Sequence, residues 1–437
     1  MEAMIARWLQ DIPTPPRGHP QVAHHSRKRR LPLGEMSQNV STPSKRARKE
    51  KDTNDEIFVR EDTMNQETPR PPVQLQLRSS GPHGRETHPT AFSYTSTTSQ
   101  SSHVTTAESQ RSLKRKRSIS PSKGLAQLTR LQYPVHQETI ALPNNMPEPL
   151  RALTRIMRSI ERGRGIISKE EGMDDLRRLL ADEEDAEDWT GVMSSARAEY
   201  GSIPEIRFTQ AIVETTKQNI RLGRSEAAWN CNVHYPLLAE ACARSIASQH
   251  VRCENITTAA ITNDATGSSR KADLAITFTI PDTAITALSS RHIDTLSHST
   301  YQPLCYSPPA VSIETKLEGS HGQEAGLQLS IWAHAHAMTL KALLHKIGRP
   351  DAEIPALPLL VVQGSKWCFN YFEIRRNEAV RWSQVPIGDT GTVRGVYQVV
   401  AALQRLVEWT AVVYRPWFVG NVVESLIELP VEKSEVG

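Results

Sequence analysis

The sequence predicts a mixed α/β domain built around a central sheet, with a long arm in front of it that lacks the means to fold alone. A shift in composition near residue 140 separates the two parts. Beyond it the apolar patterns run in the order helix, group of strands, helix, more strands, helix, which is the order of an α/β unit. Within that order, charged residues stand at the ends of two apolar runs, Leu274-Ala-Ile-Thr-Phe-Thr-Ile280 and Val311-Ser-Ile-Glu-Thr-Lys316, where rigid strands would hold them.

Residues 1–12 predict a short amphipathic helix, because Met4, Ile5, Trp8 and Leu9 share one helical face; alone in water a helix this short frays. Residues 13–139 are expected to form a disordered, basic arm. From Pro13 to about Ser122 the chain is dominated by Ser, Thr, Pro, Gln, Arg and Lys, and its few apolar residues keep no period. Such a segment buries too little surface to offset its ordering entropy. The clusters Arg27-Lys-Arg-Arg30, Lys45-Arg-Ala-Arg-Lys49 and Lys114-Arg-Lys-Arg117 read as nuclear import signals. They make the nucleus the expected location, with an import receptor and nuclear proteins as expected partners. Flexible charges of this kind also attract nucleic-acid phosphates. Ser118-Ile-Ser-Pro121 is a candidate phosphorylation site that would offset the third cluster. The folded domain is expected over residues 140–430, followed by a flexible tail at 431–437.

Inside the domain, Leu150, Leu153, Ile156, Met157 and Ile160 predict a helix, with Leu176, Leu179 and Leu180 continuing the pattern after a break. The acidic run Asp182-Glu-Glu-Asp185 has no apolar residues to fix it and reads as a solvated loop. From Arg224 to about Gln249, Trp229, Val233, Leu237, Leu238 and Ile246 fit a helix with Pro236 as a kink. Strands are expected at Ile256–Ile261 and Leu274–Ile280 around a turn at Asn263–Ser269, then an excursion over 281–309. Pro308-Pro309 delivers an extended chain into a strand at Val311–Leu317. Leu327, Ile331, Ala335 and Leu340 support a helix reaching His345; strands follow at Leu357–Val362 and Trp367–Phe372, and a helix at Val396–Val412.

At a strand's period of two, Glu314 and Lys316 share a face, so a carboxylate and an ammonium point to the same place. A neighbouring strand after Asp273 would bring a second carboxylate beside them. Carboxylate, carbonyl and water oxygens are what hard divalent ions such as Mg²⁺ and Mn²⁺ take, which makes Asp273 and Glu314 candidate ligands and the carbonyl of Thr315 a third. Lys316 beside them would orient a water or stabilise developing negative charge. Glu226 could enter from its helix and Gln328 from the next one.

Four stretches in order, Glu226-Ala-Ala-Trp-Asn-Cys-Asn-Val-His-Tyr-Pro236, Lys271-Ala-Asp-Leu-Ala275, Ser312-Ile-Glu-Thr-Lys-Leu317 and Gln323-Glu-Ala-Gly-Leu-Gln-Leu329, resemble the core of the PD-(D/E)XK nuclease-like superfamily. More narrowly they resemble the nuclease-like domain proteins of filamentous fungi. The resemblance spans about residues 140–425. It implies an α-β-β-β-α-β fold, a PD-(D/E)XK nuclease-like core whose central mixed sheet is flanked by helices. It also implies metal-dependent phosphodiester cleavage in active members, with Mg²⁺ or Mn²⁺ as cofactor and nucleic acid, DNA by preference, as partner. Residue by residue, Glu226 resembles the first-helix acid, Asp273 the acid of the second core strand, and Glu314 with Lys316 the ExK pair. Gln328 resembles the polar residue on the following helix, with Gln323 as its alternative. The resemblance thus implies catalytic roles for Glu226, Asp273, Glu314, Lys316 and Gln328, the three acids holding metal. Ala272 stands where the namesake proline would be. Two uses of such a domain stay open: turnover, or a silent nuclease-like module for nucleic-acid binding or nuclear protein assembly.

Other chemistries find less support. No run of 18 apolar residues and no apolar signal-peptide core occurs, so a soluble intracellular protein is expected. Five cysteines make no disulfide framework and read as free thiols. Cys231, Cys242 and Cys253, spaced by eleven, suggest small buried side chains on one helical face, and Cys231 with His234 lacks a second ligand pair for zinc. His334 and His336 stand two apart, which favours packing or solvent exposure over a metal site, and Trp229 reads as core. Neither a Gly-x-Gly-x-x-Gly signature nor a Walker lysine motif is present.

Overall fold

The computed structural model describes residues 126, 128–131, 133–140, 146, 148–169, 191–262, 271–319 and 322–430. Its elements run β1 (Val135–Thr139), α1 (Glu148–Glu161), β2 (Ile167–Ser168), β3 (Met193–Ser194), α2 (Ile206–Arg221), α3 (Glu226–Trp229), α4 (Tyr235–Ala243), β4 (Val251–Asn255), β5 (Leu274–Phe278), α5 (Asp282–Ser289), β6 (Val311–Lys316), α6 (Gly322–Lys346), β7 (Leu357–Gln363), β8 (Lys366–Ile374), β9 (Ala379–Asp389), α7 (Val393–Trp409), α8 (Arg415–Phe418) and α9 (Glu424–Glu428). The basic clusters, the first twelve residues, the acidic run at 182–185, Leu176 to Leu180 and the turn at 263–269 all lie outside the described residues.

Seven strands form one mixed sheet in the order β1-β9-β8-β7-β6-β5-β4. The pairs β1/β9 and β6/β7 are parallel, and the other four are antiparallel. The strands β5 and β6, both inside the sheet, are buried along almost their whole length, which is why both read as near-continuous apolar runs. Helix α6 covers one face: Trp332 of α6 donates from Nε1 to Ser312 Oγ of β6 at 3.1 Å. Residues of odd parity on β8 face the other way, where Tyr371 donates to the Leu150 carbonyl of α1 at 3.4 Å. Helices α1 and α7 pack on β9. Phe278, Phe369, Phe372, Trp332 and Trp367 are all fully buried. At about 25 cal/mol per Å² a buried side chain of this kind contributes roughly 1.5–3 kcal/mol.

Several expectations are corrected. The strand β1 falls inside residues 13–139, the segment assigned to the disordered arm, yet it pairs with β9 from Val135↔Ala379 to Thr139↔Ser383. It was hidden because only Val135 of its five residues is buried. The first core strand is Val251–Asn255, not Ile256–Ile261. Asn255 ends it, its Oδ1 accepting from the Thr257 amide at 3.2 Å and hydroxyl at 2.8 Å, a side-chain turn that competes with the ladder. Cys253 consequently lies on a strand, and the three regularly spaced cysteines do not share a helix: Cys231 is exposed and Cys242 is buried on α4. The helix expected to Gln249 ends at Ala243, and a 3-10 turn at Ile246–His250 follows. Between α3 and α4 the helix widens into a π-helical turn at Asn230–His234, immediately before Pro236, whose missing N–H removes a ladder bond. The strand β9 was not anticipated. Pro386, Gly388 and a register shift opposite Phe369/Tyr371, with Gln384 at φ 77°, break its period.

Because β1 supplies one whole edge of the sheet, a chain lacking residues 1–139 is expected to melt below a chain lacking only residues 1–125. The expected difference is about 3–6 °C, corresponding to roughly 1–2 kcal/mol for a domain of this size. Equal melting temperatures in differential scanning calorimetry would show that β1 adds nothing to the fold.

Candidate active site

Glu314 and Lys316 lie on β6 with one residue between them, and their side chains meet, Lys316 Nζ standing 2.5 Å from Glu314 Oε1. The same ammonium donates to the Thr315 carbonyl at 2.9 Å and reaches Glu226 Oε1 at 3.5 Å. Asp273 sits just before β5. The antiparallel register pairs Leu274 with Ile313, so the next residue outward, Asp273, stands across from Glu314. Its Oδ2 accepts from the Thr315 amide at 2.8 Å and the Thr315 hydroxyl at 2.7 Å. The structure therefore brings together Glu226, Asp273, Glu314 and Lys316. Thr315 has a different part from the one expected: its carbonyl is taken by Lys316, and its amide and hydroxyl clamp Asp273.

Glu226 arrives from a separate element and is held by a relay of three contacts. Ser225 caps α3 with its side chain, accepting from the Ala228 amide at 3.4 Å, and Glu226 follows as the first helical residue. A carboxylate is favoured at that end of a helix. Buried His234, in the π-helical turn, places Nε2 2.9 Å from the Gly364 carbonyl, and the Asn230 side-chain amide lies 2.9 Å from its Nδ1. Burial pulls the His234 pKa down to about 4, so the ring is neutral at ordinary pH. Gly364, at φ 56° in the β7–β8 turn, donates in turn to the Lys316 carbonyl at 2.8 Å. The helix that carries Glu226 is thus tied through His234 and Gly364 to the backbone of Lys316. Both ring nitrogens of His234 are engaged, by Asn230 and Gly364, and Trp229 is core, stacked on His234. Of the other acid on this helical stretch, Glu240, the side chain pairs with Arg244.

Neither glutamine joins this group. Gln323 is exposed in the first turn of α6 and Gln328 is half-buried one turn later; no hydrogen bond connects either to the four residues. Glu324, which the sequence reading passed over, acts on Glu226 electrostatically. Its only sequence signal was its place directly after Gln323. His334 and His336 prove to be packing residues: His334 Nε2 lies 3.2 Å from the Tyr133 carbonyl, and His336 Nε2 3.2 Å from the Tyr414 hydroxyl.

The charges are unequal in number, and that decides the electrostatics. Glu314 is 1% exposed and its Oε2 has no hydrogen-bond partner. Burial, and then repulsion from Asp273, push its pKa well above the usual carboxylate range against the pull of Lys316. Burial and the neighbouring Asp273 likewise raise Glu226, although Lys316 opposes them. For Lys316 burial works against the ammonium, but Glu314, Glu226 and Asp273 outweigh it and raise its pKa. Three acids share one ammonium. Removing a carboxylate from water costs on the order of several kcal/mol, and a single cation cannot offset that for the most buried of the three.

Residues 175–415 match the family model of the PD-(D/E)XK nuclease superfamily, more than half of the chain, and the match takes in Glu226, Asp273, Glu314 and Lys316. The chain belongs to the PD-(D/E)XK nuclease superfamily. No curated protein and no solved structure matches it. The superfamily's α-β-β-β-α-β order appears here as α3/α4, β4, β5, β6, α6 and β7. The strand β1 and the helix α1 precede the matched residues. Among the described residues no group of three or more His, Cys, Asp or Glu is placed to hold a metal ion, and Lys316 Nζ contacts both Glu226 and Glu314. No helix among them is long and apolar enough to cross a membrane.

A raised carboxylate pKa makes stability fall as pH rises. The unfolded glutamate ionises near about 4.3, before the folded one, so the cost of an ionised Glu314 grows above that pH and is present through the folded value. Glu314→Gln removes it. In EDTA the variant should melt above the wild type at pH 7, with the advantage shrinking to nothing near pH 4, where both side chains are neutral. A constant difference from pH 4 to 8 would show that Glu314 does not titrate as described.

Proposed function

We propose that this domain hydrolyses phosphodiester bonds of nucleic acid, DNA by preference, with Asp273 and Glu314 holding a Mg²⁺ or Mn²⁺ ion. The observation that carries the reading is the buried, unpartnered Oε2 of Glu314 beside a second carboxylate, in a site with more acids than bases. The donors fit a hard divalent ion, since they are carboxylate oxygens alone. Such an ion, when bound, generates a hydroxide from water and neutralises charge on the phosphate. Thr315 keeps Asp273 oriented by two hydrogen bonds. Lys316 is kept protonated by its surrounding acids and so serves as a charge that steadies the pentavalent phosphate oxygens or orients the attacking water. Glu226, 36% exposed at its side chain, holds Lys316 from the solvent side and adds a carboxylate at the mouth of the site. Gln328 lies on the helix that follows and would meet substrate, not the ion.

A second reading has its own observation. Lys316 occupies Glu314 Oε1 at 2.5 Å, so the acid already has a cation, as it would in a silent module that binds nucleic acid or nuclear proteins without turnover. The basic clusters at 27–30, 45–49 and 114–117 support a nuclear location under either reading. Residues 1–130 fused to a reporter should accumulate in nuclei, and neutralising all three clusters should abolish the accumulation; enrichment that persists would sink the targeting mechanism.

Cleavage of labelled single- and double-stranded DNA and of RNA by the full chain, with Mg²⁺ or Mn²⁺, decides between the two. Asp273→Ala and Glu314→Ala should each lower the rate at least about 100-fold, and Lys316→Ala by about 10²–10⁴. Glu226→Gln should cost less. No turnover by the wild type on any substrate, with nucleic-acid binding retained in Glu314→Ala, would establish the silent module.

A further inference from the structure

The guanidinium of Arg381 has no part in the chemistry above and, among the described residues, no counter-charge. Arg381 lies on β9 opposite Gln137 of β1 and Phe372 of β8, on the face covered by α6, and is 7% exposed. Its Nε is buried without an acceptor, and no described residue makes a hydrogen bond or ion pair with the guanidinium. Burial draws its pKa down to about 10, which leaves it cationic at neutral pH. Arginines buried this far are ordinarily paired, because an uncompensated charge out of water is costly. A lone one can be matched by an anion that a ligand supplies.

Gly326 of α6 makes the space. A Cβ there would fall 2.2 Å from Arg381 Nη1 and 2.6 Å from Nη2, so the guanidinium occupies the volume any other residue's side chain would need. One turn earlier, a Cβ on Gly322 would fall 3.0 Å from Gln363 Nε2. Gln363 is the β7 partner of Lys316. The Gln363 side chain and the Arg381 guanidinium thus meet α6 at two glycines about one turn apart. A guanidinium presents its donors as a planar fork that matches phosphate oxygens.

We infer that Arg381 forms a phosphate-binding subsite, taking a backbone phosphate other than the scissile one, with Gly326 keeping the guanidinium in place. The inference rests on the nucleic-acid reading above and extends it to how the strand is positioned. Arg381 is a binding residue and does not touch the reacting atoms.

The test is equilibrium binding of a fluorescein-labelled single-stranded DNA oligonucleotide to the full chain, in EDTA so that no strand is cut, over a series of salt concentrations. Arg381→Met should weaken binding about tenfold and make the salt dependence shallower by about one unit of slope. Arg381→Lys keeps the charge but not the fork and should fall between. Gly326→Ala leaves Arg381 in the sequence but gives its place to a methyl group, and should weaken binding as Arg381→Met does. Melting temperatures measured alongside separate lost binding from lost fold, and if Arg381→Met fails to fold, Arg381→Lys and Gly326→Ala carry the measurement. Folded variants that bind with the wild-type affinity and salt slope would overturn the subsite alone. A wild type that binds neither this DNA nor the equivalent RNA would overturn the subsite together with the nucleic-acid reading.

Discussion

One ammonium shared among three carboxylates is the interaction on which the site depends. Lys316 lies 2.5 Å from Glu314 and 3.5 Å from Glu226, with Asp273 also acting on it. The strand β6 sets the first distance, because its period of two puts residues 314 and 316 on one face. The second depends on His234 and Gly364, which tie the helix of Glu226 to the Lys316 backbone. The ammonium makes a buried carboxylate tolerable. It does not neutralise the group, and the excess of acid is what would draw in a metal ion.

The fold serves this arrangement by drying it. Strands β5 and β6 are covered on both faces, so Glu314 has almost no water to solvate it. In a low-dielectric surrounding, charge interactions are stronger and an unpaired oxygen is costlier. The orphaned Oε2 of Glu314 and the unpaired guanidinium of Arg381 are two instances of the same cost, one an acid and the other a base, both on the side of the sheet under α6. Under the proposed function, each would be met by a ligand of opposite sign. The glycines of α6 that meet Gln363 and Arg381 let the helix lie close to the sheet between them.

The central part of this structure was legible in the sequence because its signals are periodic. Val311 and Ile313 alternate with Glu314 and Lys316, and the apolar run after Asp273 marks β5, so the acids and the lysine could be placed before any geometry was known. The edges were not legible. In β1 and β4 most side chains are exposed or only half-buried, which leaves little apolar pattern to read. In β9 a bulge, Pro386 and Gly388 interrupt the alternation. Thr315 was unreadable for a different reason: a threonine inside a strand is ordinary, and its hold on Asp273 depends on the pairing of two segments 42 residues apart. Gln328 shows the opposite case, a residue suggested by resemblance whose side chain makes no hydrogen bond with the acids.

The most direct test is Mn²⁺ binding to the full-length protein, followed by electron paramagnetic resonance of the free ion and by calorimetry. If Asp273 and Glu314 hold the ion while Lys316 competes with it for Glu314, the wild type binds Mn²⁺, Asp273→Ala and Glu314→Ala lose that binding, and Lys316→Ala keeps it or tightens it. Binding that survives both carboxylate substitutions, or that disappears in Lys316→Ala while the variant remains folded, would contradict the account.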